Sequence, residues 1–337
     1  MMYFFKFLFI IFRFGIRFVF VRKKSKKHAT EYLHGMEEKF REKFDDATFK
    51  KVVKSHSVFL PIVNDAFALL HGRETNVIEQ ERSINYFICS SVFDNFFDDK
   101  LLTVDQIESI TFNPNRFIPA TFDEKVFLQA HLFLLNGMKD TKDYFVVLRK
   151  EYEAQSASMK QFNNAISDEE IRNITFEKGG NAVLMCRYYL DLDPTTEEEE
   201  CWYLLGTMIQ LSNDLFDIYK DLHQNIQTLA VRCTDAYSME KFFMEQVNGI
   251  RKNIATLPYS SNRKLQFSIS MAATYVLGLT AIDQLKRLQA NSAKLPSFKT
   301  LQRKELIVDM ENPMNIWRWI KFIYQHGKLL PTSKQVH

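Results

Sequence analysis

The chain has 337 residues, 46% of them hydrophobic, which is ample for a sizeable core in one large domain or two. Its net charge of +3 hides a split: residues 1–27 hold eight Lys or Arg and no acid, while the remainder carries 36 basic and 41 acidic residues. A basic tail on an acidic body without a basic stripe argues against nucleic acid as the main partner, and four cysteines without CxxC or paired spacing argue against a zinc site or a disulfide framework. Those thiols, Cys89, Cys186, Cys201 and Cys233, read as buried and reduced. Gly and Pro number only 10 and 8, long stretches keep a helical period, and an all-α fold is expected. The 31 Phe residues point to an aromatic-walled cavity or a membrane-facing surface.

The chain opens "MMYFFKFLFIIFRFGIRFVFVRKKSKK". Lys6, Arg13 and Arg17 interrupt the apolar run, which argues against a simple spanning helix. Spacings of seven and four put these charges within about 40° on a helix and leave a broad Phe/Ile/Leu/Val face. The pattern predicts a helix lying in a membrane interface, with Arg22 to Lys27 drawn to anionic head groups. A first helix packed on the body and a true span are the alternatives. A secretory signal does not fit, because charges interrupt the apolar run and no small-residue cleavage site follows it. Residues 1–28 are therefore set apart as a basic amphipathic segment, with a single helical domain over 29–330 and a tail over 331–337.

Within that domain, "INYFICSSVFDNFFDDK" places Asp94 and Asp98 four residues apart, with Asn95 and Asp99 beside them. Tyr86, Ile88, Cys89, Val92, Phe93, Phe96 and Phe97 cover most of the helix, so it is expected to be largely buried. Two carboxylates on the remaining strip repel unless a cation lies between them or one is protonated. "FNPNRFIP" at 112–119 then supplies a connection. After "LDPTT", Thr195 and Thr196 stand three residues before Glu198 and Glu199, a helix start with first-turn acids, and the helix is expected to run for about seven turns.

Its last part reads "QLSNDLFDIYKDL". At 100° per residue, Asn213, Asp217 and Asp221 fall within about 80°, opposite Leu211, Leu215, Ile218 and Leu222. Backward along the polar stripe come Gln210, Gly206 and Trp202, which suggests an apolar cavity with oxygen ligands at its mouth; a solvated amphipathic face is the competing reading. Ligation by Asp and Asn alone selects a hard cation, magnesium or manganese, completed by phosphate or diphosphate oxygens. Further connections fall at 257–262 and 311–315, and the lone histidines His71 and His131 are read as surface or satisfied core.

"NDLFDIYKD" over 213–221 resembles the second metal motif of class I terpene synthases, NDxxSxxxE, with Asp217 in place of the Ser and Asp221 in place of the Glu. The wider "GTMIQLSNDLFDIYKD" is also similar to the second aspartate motif of phytoene and squalene synthases, and "DNFFDD" resembles the first aspartate-rich motif without being a strict DDxxD. Over residues 60–325 the resemblance implies the all-α isoprenoid synthase fold, a helical bundle around a central apolar cavity. It implies that Asp94 and Asp98 face Asn213, Asp217 and Asp221 and hold up to three magnesium ions, with Asn95, Asp99 and Asp214 as further ligands or supports.

The implied reaction ionises a linear prenyl diphosphate, farnesyl or geranylgeranyl, and cyclises the carbocation with loss of diphosphate, a carbon–oxygen lyase step of isoprenoid biosynthesis. Phe87 and Trp202 would then wall the cavity, and Lys220, Arg172, Lys178, Arg318 and Tyr324 would contact the diphosphate. Gly179 and Gly180 in "KGGN" would break a helix near the reacting carbon. Competing readings are a head-to-head or chain-elongating prenyl diphosphate synthase and a noncatalytic helical membrane-binding protein. The remaining expected partners are a membrane surface met by residues 1–27 and a second copy of the chain, with a cytoplasmic location at the inner face of a membrane.

Overall fold

The computed structural model describes residues 2–98, 101–139 and 141–331, without the side chains of Met2 and Asp98. The fold is all-α, as expected, with no strand among the described residues. By its internal packing the chain divides into two compact units. The N-terminal unit comprises Phe12–Val146 with Cys186–Leu192; the C-terminal unit comprises residues up to Ile11, Val147–Met185 and the chain from Asp193 onward.

Helix α1 runs unbroken from Met2 to Phe40, so no boundary falls at residue 28. Its second half contains no Pro, and Ser25, Ala29, Leu33 and Met36 recur at spacings of four and three as one buried stripe. Helices α2 (Asp46–Phe59), α3 (Asp65–Leu70), α4 (Val77–Asp98), α5 (Val104–Phe112) and α6 (Phe122–Asn136) complete most of the N-terminal unit. Between α2 and α3 the chain widens into a π-helical turn at Leu60–Asn64, where Pro61 supplies no N–H to the regular ladder.

Helix α4 lies between α2 and α6, with Ile84, Ile88, Val92 and Phe96 buried at four-residue intervals. Its start is a reciprocal cap: Asn76 Oδ1 accepts from the Glu79 N–H at 2.9 Å, and Glu79 Oε2 accepts from the Asn76 N–H at 2.8 Å.

Helix α7 (Thr141–Ser158) enters the C-terminal unit at Val147. There follow α8 (Asp168–Met185), α9 (Thr196–Phe216), α10 (Ile218–His223), α11 (Ala236–Thr256), α12 (Ser261–Gln289), α13 (Arg303–Leu306) and α14 (Pro313–His326). Helix α9 is the hub of this unit and packs against α8, α11 and α12. Thr195 caps it by accepting from the Glu198 N–H, the start expected from the sequence. By length and apolarity α12 passes as a membrane span, but 72% of its apolar window is buried inside the protein.

A candidate acidic site at the junction of two helices

The long helix expected from Thr196 through Leu222 is interrupted. Helix α9 stops at Phe216, Asp217 adopts φ −95° and ψ 9°, and α10 begins at Ile218. Aspartate is a poor helix-interior residue, and like charges four apart, as at Asp217 and Asp221, weaken a helix further. Backbone hydrogen bonds still cross the break: the Asp217 N–H donates to Asn213 O and the Asp221 N–H to Asp217 O, both at 2.8 Å. On the apolar side Leu211, Leu215 and Ile218 are buried, as their spacing indicated, and Leu222 is half-buried.

Asp214 and Asp221 are both buried, Asp217 is half-buried, and Asn213 is exposed. Asp214 Oδ1 accepts from Gln210 Nε2 at 2.9 Å, and Asp214 Oδ2 accepts from the Thr175 hydroxyl of α8 at 3.3 Å. Burial pushes the Asp214 carboxyl up to about 6 from an ordinary 3.8, against the pull of those two hydrogen bonds and of the Lys178 charge. The Asp221 carboxyl is pushed up to about 7, first by burial and then by the charges of Asp214 and Asp217, with Lys220 opposing. Lys220 Nζ lies 3.7 Å from Asp217 Oδ2. Three carboxylates that feel one another, with two lysines beside them, thus form an electrostatic unit at the α9–α10 junction.

Helix α8 reaches this unit because the two helices touch. A β-carbon on Gly179 would lie 2.6 Å from Gly206 O, and one on Gly180 would lie 2.3 Å from the Tyr203 ring. The break expected at Gly179–Gly180 is therefore absent. Helix α8 passes through both glycines, and their missing side chains admit the neighbouring helix.

Of the other residues singled out in this unit, Lys178 is half-buried and acts on Asp214. Arg172 is exposed and lines an open cleft of about 640 Å³ beside Asp168, Arg232 and Asp235. Arg318 is held by Asp283 and by Asn315 Oδ1, each at 3.1 Å. The Tyr324 ring packs on Tyr3 and Phe7, with centroids 5.2 and 5.1 Å away. Trp202 is fully buried.

The first acidic stretch belongs to the N-terminal unit. Asp94 Oδ2 accepts from Lys51 Nζ at 2.8 Å, and Asn95 Nδ2 donates to the Thr48 hydroxyl at 3.0 Å. The Asp98 side chain and Asp99 lie outside the described residues. Phe87 is buried in an aromatic group with Phe59 and Tyr86.

Thr175 was not identifiable as a partner of Asp214 from the local text around either residue. The signal that could have found it is the pair of small residues, Gly179 and Gly206, that lets α8 and α9 meet.

Among the described residues no three His, Cys, Asp or Glu side chains form a ready metal cage. The donor set at Asp214, Asp217 and Asp221 is nevertheless oxygen-only and partly buried, the kind of set that suits a hard cation, and burial followed by neighbouring carboxylate charge raises the Asp214 and Asp221 carboxyls. No protein-family model matches this chain, and no curated protein does.

Proposed function

We propose that this protein is a magnesium- or manganese-dependent enzyme acting on a prenyl diphosphate, of the class I terpene synthase kind. The observation that carries the reading is the carboxylate group at the α9–α10 junction, where burial, with the charges of Asp214 and Asp217, pushes the Asp221 carboxyl up to about 7. Folding such a group together destabilises the protein unless protons or a cation offset it, which is the mark of a binding site rather than of a scaffold.

Asp214, Asp217 and Asp221 would hold the cation. When bound, it would supply the positive charge that neutralises diphosphate as a leaving group. Gln210 and Thr175 orient the Asp214 carboxylate. Lys220, with its side chain 61% exposed, is free to move from Asp217 to phosphate oxygens. Lys178 supplies a second positive charge from α8.

The test is incubation of the full chain with magnesium and farnesyl or geranylgeranyl diphosphate, alone and with isopentenyl diphosphate, followed by mass spectrometry of organic extracts. Terpene hydrocarbons or alcohols are expected, with diphosphate release that EDTA abolishes and Asp217→Asn strongly reduces. A longer prenyl diphosphate as product would move the reading to a chain-elongating enzyme. No consumption of any of these substrates, with no rise in melting temperature on adding magnesium, would refute it.

A further inference from the structure

We infer that the N-terminal helix is a docking face for an anionic bilayer surface, independent of the chemistry proposed above. On the part of α1 that belongs to the N-terminal unit, Phe12, Ile16, Val19 and Phe20 are between 44% and 70% exposed. At 100° per residue these four fall within about 100° of arc, a continuous apolar sector about 12 Å long at 1.5 Å per residue. The opposite side of the helix carries buried Ser25. Exposed Lys23 and Lys27 continue the outward sector beyond Phe20, with Arg22 and Lys26 along one edge and Lys24 on the other.

Arg17 does not belong to this face. Its guanidinium pairs with Glu74 and lies 2.9 Å from Asp65 Oδ2, so its charge is met by the protein and need not enter lipid. The same pairs fix the rotation of the helix and keep the Phe-rich sector outward.

The occupant follows from charge. Across residues 1–27 there are eight bases and no acid, so a complementary surface must be anionic and must also accept aromatic side chains. An anionic bilayer offers both in order, phosphates above hydrocarbon. A second copy would set exposed Arg22, Lys23, Lys24 and Lys26 against the same bases of its partner. The apolar sector therefore sinks below the phosphates, while Arg22, Lys23, Lys26 and Lys27 stay among them, their stems lying along the acyl boundary.

The test is co-sedimentation of the full chain with vesicles of phosphatidylcholine, with and without phosphatidylglycerol, at low and high salt. Binding to the phosphatidylglycerol vesicles is expected, weaker at high salt and weak on phosphatidylcholine alone. The pair Phe12→Asp with Phe20→Asp, and separately Lys23→Glu with Lys27→Glu, each lowers the partition by about tenfold or more, with the helical circular dichroism signal retained. The inference is overturned if the wild-type chain ignores the anionic vesicles or if neither pair changes binding. It is equally overturned if the Phe pair turns a dimer into a monomer in sedimentation velocity, which would assign the face to a second copy. None of these outcomes depends on turnover.

Discussion

A β-carbon on Gly206 would sit 2.1 Å from the carbonyl oxygen of Gly179, so the backbones of α9 and α8 meet with no room for a side chain. The helices are antiparallel there, and this contact brings Thr175, one turn before Gly179, to Asp214, two turns after Gly206.

Gly206→Ala is accordingly expected to push the helices apart, lowering stability by about 1–3 kcal/mol and loosening the Thr175–Asp214 hydrogen bond. Gly249 lies inside α11, where an added β-carbon meets nothing within 4 Å. Gly249→Ala should therefore stabilise by about 0.5–1 kcal/mol through backbone entropy alone. Urea denaturation of both variants separates the effects, because a Gly206→Ala variant stabilised like Gly249→Ala would show that close approach is not what Gly206 provides.

Asp221→Asn is expected to stabilise the protein above neutral pH. The folded carboxyl titrates near 7 against an ordinary 3.8, so between those values the native state holds a proton that the unfolded chain has released. Linkage then makes stability fall as pH rises through the window, at up to roughly 1.4 kcal/mol per pH unit, and the full cost stands above pH 7. The amide removes that titration. Its melting temperature should exceed that of the wild type at pH 8, converge with it near pH 4, and no longer rise with added magnesium. Scanning fluorimetry at both pH values, with and without the cation, reads all three.

Features that depend on neighbours in sequence were legible before the fold was known. The four-residue recurrence of Ile84, Ile88, Val92 and Phe96 marks a buried helix, and the Thr195–Glu198 spacing marks a helix start, because both signals lie within one or two turns. The acidic site was only half legible. Grouping Asn213 with Asp217 and Asp221 assumed one straight helix, whereas the chain leaves helical geometry at Asp217 and buries Asp214 while Asn213 stays exposed. What decides that burial is α8, and the residue that meets Asp214 stands 39 positions upstream. The same distance problem applies to "KGGN": glycine weakens an isolated helix, but here the space of its missing side chain is filled by the neighbouring helix. In the sequence Arg318 and Tyr324 offer only their residue types and late position, and only tertiary contacts show that Asp283 and Tyr3 engage them.

In the N-terminal unit, Glu79 has no solvent exposure, and Arg73 reaches it twice, at 2.8 and 2.5 Å. The backbone N–H groups of Asn76 and Asp191 also donate to its carboxylate, at 2.8 and 2.6 Å. Glu79→Ala leaves two backbone donors and a guanidinium without the acceptor they share and removes the side-chain half of the reciprocal cap of α4, for an expected loss of roughly 3 kcal/mol or more. The Lys27–Glu31 pair, 3.7 Å apart and largely exposed on both sides, offers the contrast. Glu31→Ala should leave the urea midpoint unchanged, since solvent already screens that pair. Equal losses in the two variants would mean that burial is not what makes the Glu79 cluster matter.

His131 gives a pH signature of the opposite slope. Its ring is buried against Phe127, and Nε2 lies 2.9 Å from Thr111 O, so the neutral ring donates from Nε2. Burial pulls its pKa down to about 4 from 6.5, despite the favourable carbonyl. Below pH 6.5 the unfolded chain takes up a proton that the native ring refuses, so the stability present above that pH is lost progressively as pH falls toward 4. His131→Gln keeps a donor near the position of Nε2 but does not titrate. The difference in unfolding free energy between this variant and the wild type should therefore be constant above pH 7 and shift in favour of the variant from 6.5 down to 4, by up to roughly 1.4 kcal/mol per unit. Urea unfolding at intervals across that range measures it, and a difference independent of pH would mean that His131 accepts a proton in the folded protein.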